Sequence, residues 1–197
     1  VELPSTIRKT RINNLEIIPS NVNLAGFEVE TAEERQRALI LDNVLKKNYE
    51  INLNKYSYIF IDCPPSLNLL TIMSLVAANS LIVPLQAEFF ALEGLSQLMK
   101  TIDRIKSKLN STLMIRGILL TMFDKRNKLS AQVDDEARKY FKGKVYQTVI
   151  PRNVRLSEAP SHGLPALIYD KFCSGSKSYL NFKNEFLKQD TITESAA

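Results

Sequence analysis

The chain of 197 residues has no tryptophan, one histidine, two cysteines and six glycines, and each shortage removes a class of chemistry. With His162 as its sole histidine, the sequence leaves little room for a His-dependent triad or a His-rich metal centre. Cys63 and Cys173 stand far apart with no metal-ligand spacing, so they read as two buried thiols rather than a disulfide or a zinc site. A phosphate-binding loop of the form G-x-x-x-x-G-K-[ST] wraps phosphates in backbone N–H groups and reaches the terminal ones with its lysine. None of the glycines makes such a loop. Gly143-Lys144 is the only Gly-Lys pair; it lacks a glycine five residues earlier and is followed by Val145, so it reads as a turn before a strand. No apolar run approaches the ~20 residues needed to cross a bilayer, and Val1-Glu2-Leu3-Pro4 has neither the basic flank nor the apolar core of a secretory signal. A cytoplasmic protein without membrane contact is the expectation.

What is present is an ordinary globular composition, 45% hydrophobic and 24% charged, long enough for one α/β domain over residues 1–197 with a polar, disordered tail from 189. The net charge of +5 is modestly basic. Scattered cations merely solvate a surface, whereas cations clustered on one face suggest a polyanionic partner.

Strand-like and helix-like segments alternate along the chain, which predicts a mostly parallel sheet flanked by helices. Strands are expected at residues 15–18, 58–61, 80–84, 114–121 and 145–149. Helices are expected from Thr31, whose spacing to Glu34 has the form of a capping box, through Lys47, with residues 24–30 as an alternative earlier start, and over residues 67–78, 130–141 and 178–187. Leu92, Leu95, Leu98, Met99, Ile102, Ile105 and Leu109 form an apolar stripe at helical spacing that belongs in a core.

The run Tyr58-Ile59-Phe60-Ile61 predicts a buried parallel strand delivering Asp62 at its carboxyl end, with Pro64 and Pro65 stopping it. Ligands of open α/β sheets bind just outside those ends. An aspartate there is suited to hold Mg²⁺, directly or through water, or else simply caps the next helix. Gln86 with Glu88, Asp124 with Arg126, and residues 151–155 also follow predicted strands. A parallel sheet would bring all four clusters to one edge.

The stretches Asp62-Cys63-Pro64-Pro65-Ser66, Phe90-Ala91-Leu92-Glu93-Gly94-Leu95-Ser96-Gln97-Leu98, Thr121-Met122-Phe123-Asp124-Lys125-Arg126 and Ile150-Pro151-Arg152-Asn153-Val154-Arg155-Leu156-Ser157-Glu158-Ala159-Pro160 closely resemble ParA/Soj-type chromosome-partitioning ATPases. Ile17-Ile18-Pro19-Ser20-Asn21 matches the same family, and the resemblance covers about residues 12–187. It implies a P-loop NTPase-like, three-layer fold, ATP or ADP with Mg²⁺ as ligands, ATP-dependent homodimerisation, DNA binding without sequence preference, a ParB-type centromere-binding partner and association with the nucleoid. In the family a deviant phosphate loop on an amino-terminal strand, and a catalytic aspartate after it, precede the matching stretch. The resemblance therefore implies a carboxyl-terminal portion without the phosphate loop, to which no catalytic residue is assignable.

By the same resemblance Asp62 corresponds to the Mg²⁺-side aspartate, acting through water, while Pro151 and Asn153, with Met122, border the adenine base. Arg126 and Arg155 correspond to DNA-contacting arginines, and Lys125, Lys128 and Arg152 lie beside them. Where the family often has Asp-Pro followed by a basic residue, this chain has Asp170-Lys171-Phe172-Cys173. Ser157, Glu158 and His162 share one loop with no nucleophile elbow, which argues against a hydrolase triad. Two other readings are a non-catalytic module that binds DNA or a partner, and a MinD-like positioning ATPase; the polar ending, lacking an amphipathic membrane helix, disfavours the latter. Without an amino-terminal neighbour, the strand at 58–61 is also expected to present an edge that invites association.

Overall fold

β3 (Ser80–Gln86) and β4 (Met114–Thr121) pair in parallel, from Ser80 opposite Met114 to Gln86 opposite Thr121, with one irregular step between Leu81 and Ile82. The computed structural model to which they belong describes residues 3–64 and 66–194. Pro65, expected to end a strand, and the last three residues lie outside these. The backbone divides into two units, residues 1–79 with 101–113 and residues 80–100 with 114–197.

In the second unit the period-two alternation of the strands decides the layers. Val83, Leu85, Ile118 and Leu120 face one side, where they meet Leu92, Leu95 and Leu98 of α5 (Ala91–Lys108) and Leu129, Val133 and Ala137 of α6 (Lys128–Tyr140). Ile82 and Leu119 face the other side, against Phe182 and Phe186 of α9 (Ser174–Glu194), with Tyr146 and Ile150. The result is α/β, a parallel sheet flanked by helices, as the sequence predicts.

The strand expected at 145–149 is only partly a strand. It bridges β4 in parallel at Ile118 with Val145, and the chain bridges again at Phe123 with Pro151. Between these points Glu185 of α9 accepts the backbone N–H groups of Gln147 at 2.6 Å and Thr148 at 2.9 Å. The ladder resumes where the Ile150 N–H donates to the Leu120 carbonyl at 2.8 Å. A carboxylate on a distant helix has taken donors that sequence reasoning assigned to the sheet.

The first unit holds a short antiparallel ribbon of β1 (Arg8–Lys9) and β2 (Glu16–Ile17), the one-turn helices α1 (Leu3–Thr6) and α2 (Phe27–Glu30), α3 (Ile40–Asn48) and α4 (Leu69–Ala77). Its core uses Leu69, Met73, Leu75 and Val76 of α4, Ile102 and Ile105 of the later turns of α5, and Leu113. The Asn110 side-chain amide is shared among the carbonyls of Leu75, Val76 and Ala78, closing the end of α4 at 2.8 to 3.0 Å.

Three expectations change here. The strand at 15–18 belongs to the antiparallel ribbon rather than the parallel sheet. Thr31 closes a helix instead of opening one: its backbone N–H and its hydroxyl both donate to the Phe27 carbonyl, at 3.0 and 2.8 Å. Residues 58–61 belong to neither sheet, and Ile59 and Phe60 are 50% and 72% exposed. Hydrophobicity alone does not supply the neighbouring strand that a ladder needs.

The closing helix is longer than expected, starting at Ser174 and running through Glu194 into the segment expected to be disordered. Both cysteines are free and half-buried rather than fully buried. Among the described residues no helix is long and apolar enough to cross a membrane.

Candidate functional site

At the carboxyl end of β4 the chain turns sharply through Met122, whose φ of 54° is left-handed. This turn lets Phe123 stitch the next loop to the segment at 150–152. The Phe123 N–H donates to the Ile150 carbonyl at 3.1 Å, and the Arg152 N–H donates to the Phe123 carbonyl at 3.0 Å. Two loops that the sequence separates by some thirty positions are thereby held side by side.

In the first loop, Asp124 makes an Asx turn. Its Oδ1 accepts the backbone N–H of Arg126 at 3.0 Å and also Nε–H of the same residue at 3.1 Å, while Oδ2 accepts from Nη2 at 3.0 Å. Hydrogen bonds and charge from Arg126 hold the Asp124 carboxyl down at about 2. The Arg126 side chain nevertheless remains 90% exposed. Asn127 then caps α6, its side chain accepting from the Leu129 N–H at 3.0 Å, which sets Lys128 on the first turn.

In the second loop, Asn153 caps α7 (Val154–Glu158). Its Oδ1 accepts the Arg155 N–H at 2.9 Å and its Nδ2 donates to Ser174 Oγ at 2.9 Å. One amide hydrogen and one lone pair remain for a ligand. Arg155 donates from Nη1 to Glu158 Oε2 at 2.9 Å, and its Nε lies 3.7 Å from Asp170 at the end of α8 (Ala166–Tyr169). Tyr169 donates to the same Glu158 oxygen at 3.2 Å, steadying the carboxylate. Arg152 reaches Glu88, just past β3, at 3.4 Å.

The two loops frame an open groove of about 520 Å³ whose walls include Phe123, Lys125, Arg126, Pro151, Arg152 and Ser174. Three of the four predicted clusters thus gather around the carboxyl ends of β3 and β4. Asp62 belongs to the other unit, exposed at the end of the 58–61 segment. Among the described residues no group of three or more metal-ligating side chains occurs. A lone exposed carboxylate suits a hydrated Mg²⁺, which keeps most of its waters, better than a metal held by a protein cage.

Sequence reasoning grouped Asp124 with Arg126 but missed the pairing of carboxylate with arginine. Asp124 two residues before Arg126 and Glu158 three residues after Arg155 are local spacings that could have revealed it. Asp170 and Ser174 carry no such signal.

The sequence family described as AAA domain matches residues 1–115. The chromosome partitioning protein ParA of Caulobacter vibrioides is 47% identical over 190 residues, covering 96% of this chain and 70% of that protein. The sporulation initiation inhibitor protein Soj of Bacillus subtilis is 50% identical over 179 residues, covering 91% and 69%. This chain belongs to the ParA/Soj family. Among solved structures, cobyrinic acid a,c-diamide synthase from Mycobacterium smegmatis with bound ATP analogue and magnesium is similar at 32% identity and a TM-score of 0.71, covering 87% of this chain and 66% of that one.

Proposed function

We propose that this protein acts in plasmid or chromosome partition as a ParA/Soj-type ATPase, coupling ATP-dependent homodimerisation to nonspecific DNA binding and answering to a ParB-type partner at the nucleoid. The observation that carries the reading is the pair of stitched loops, which sets Lys125, Arg126 and Arg152 around one groove, with Lys128 and Arg155 on the flanking helices. Cations on two adjacent loops suit a phosphate backbone, which gives affinity without base readout and makes it salt-sensitive.

On the nucleotide side, ATP with Mg²⁺ would supply the transferable phosphoryl group and its charge neutralisation. Asp62 would hold the hydrated metal through water. Pro151 would offer an apolar surface beside the base, Asn153 its remaining amide hydrogen, and the turn at Met122 keeps that wall in place. The similar Mycobacterium smegmatis structure with an ATP analogue and magnesium supports this ligand class.

A second reading is favoured by one observation: no G-x-x-x-x-G-K-[ST] loop occurs in the 197 residues. It holds that this chain by itself binds DNA or a partner and hydrolyses nothing. Isothermal titration with Mg-ATP, run beside fluorescence anisotropy with a random-sequence duplex, separates the two. Binding of both ligands, with the Mg²⁺ dependence lost in Asp62→Ala, supports the first; DNA binding alone supports the second; binding of neither removes the first and leaves the second only as a module for a protein partner.

A further inference from the structure

The arginines at this edge are not bare cations. Arg126 is met by Asp124, Arg152 by Glu88, and Arg155 by Glu158 and Asp170. The Asp124 pair is the most completely hydrogen-bonded of these. A guanidinium carries five N–H donors in a rigid fork. Asp124 occupies its Nε and Nη2 edge with two near-parallel bonds of 3.1 and 3.0 Å, the arrangement in which a phosphate would bind side-on. The carboxylate is also anchored by the Arg126 backbone N–H at 3.0 Å, so swinging the arginine side chain away does not move it. Phosphate arriving at that edge therefore meets used donors, and at the remaining ones a fixed negative charge close by. The turn itself does not require that charge, because asparagine makes the same Asx turn.

We propose that Asp124 is a built-in competitor for phosphate at Arg126, limiting the affinity of this edge for DNA. The proposal rests on the DNA-binding reading above. It makes Asp124 a residue that sets affinity through Arg126 rather than a contact of its own, and it assigns Glu158 the same relation to Arg155.

The test is Asp124→Asn in the full chain, with anisotropy on a short random-sequence duplex across a salt series, alongside Arg126→Ala and the double variant. Asn keeps the turn and removes the charge. The variant is expected to bind about tenfold tighter at ~0.1 M salt, with a salt slope steeper by about 1, the effect of one added phosphate contact. The gain should vanish in the Arg126→Ala background. If Asp124→Asn binds as wild type or more weakly while Arg126→Ala still loses affinity, the competitor role is wrong and the DNA reading stands. If wild type and all variants fail to bind at the lowest salt, both fall. Should Asp124→Asn not fold, by circular dichroism, Glu158→Gln on α7 tests the same relation at Arg155 with the same expected sign.

Discussion

The ring of Tyr146 lies across Gly117 of β4 so closely that a Cβ on the glycine would stand 2.3 Å from Cε2. Only bare backbone fits beneath the ring, which is 2% exposed, and the Tyr146 hydroxyl reaches Gln189 of α9 at 3.2 Å. Gly117→Ala is expected to cost about 1–3 kcal/mol through overpacking. Urea unfolding should show the loss, and the added change Tyr146→Leu should recover part of it.

Arg116, the neighbour of that glycine, ties the last helix to the same strand. Its Nη2 donates to Asp190 at 2.5 Å and to the Phe186 carbonyl at 3.0 Å, and its guanidinium lies 3.7 Å from the Phe186 ring centroid. Asp190→Ala leaves a largely buried cation short of its counter-charge, so a loss of about 1.5–3 kcal/mol is expected. Hydrogen exchange should rise first in the final turns of α9.

Arg126 holds the Asp124 carboxyl well below the usual carboxylate range because it hydrogen-bonds and attracts the charged form. A depressed folded value stabilises the loop above the ordinary carboxylate range, and that contribution is lost as pH falls through about 2. Carboxyl NMR of the native protein should give a midpoint near 2, moving up part of the way in Arg126→Ala, which removes the side-chain bonds and charge but keeps the backbone N–H. A midpoint that stays put would break the assignment of cause.

Arg126→Ala and Arg155→Ala should each weaken binding to unrelated duplex sequences alike, with a fall in salt slope smaller than the ~1 of an unopposed phosphate contact, because a carboxylate already competes for each arginine. An effect confined to one sequence would point to base readout instead.

Ile59 and Phe60 are 50% and 72% exposed in a run of four large apolar residues. Such a patch favours association. Sedimentation velocity of the 197-residue chain should show concentration-dependent association that Phe60→Lys reduces; a monomer at all concentrations would count against it.

The sheet and its helices were legible because their signals are local. The apolar residues Ile118, Leu119 and Leu120 of β4 and the helical stripe of α5 are read from neighbours a few positions apart. The strand at 58–61 shows the limit of that logic: its residues are strand-like, but pairing requires a second strand, which no property of the run itself provides.

For the candidate site, residue type and spacing alone determined that Asp124, Arg126, Asn153 and Arg155 follow strand-like segments, since a strand-like run is read from its own neighbours along the chain. Tertiary structure decided which loops meet. Phe123 pairs with Pro151, Asn153 with Ser174, and Glu185 takes the amides of Gln147 and Thr148. These contacts join positions about twenty to forty residues apart, and a hydrogen bond between such positions depends on where folding brings the backbone, for which a linear sequence carries no local pattern.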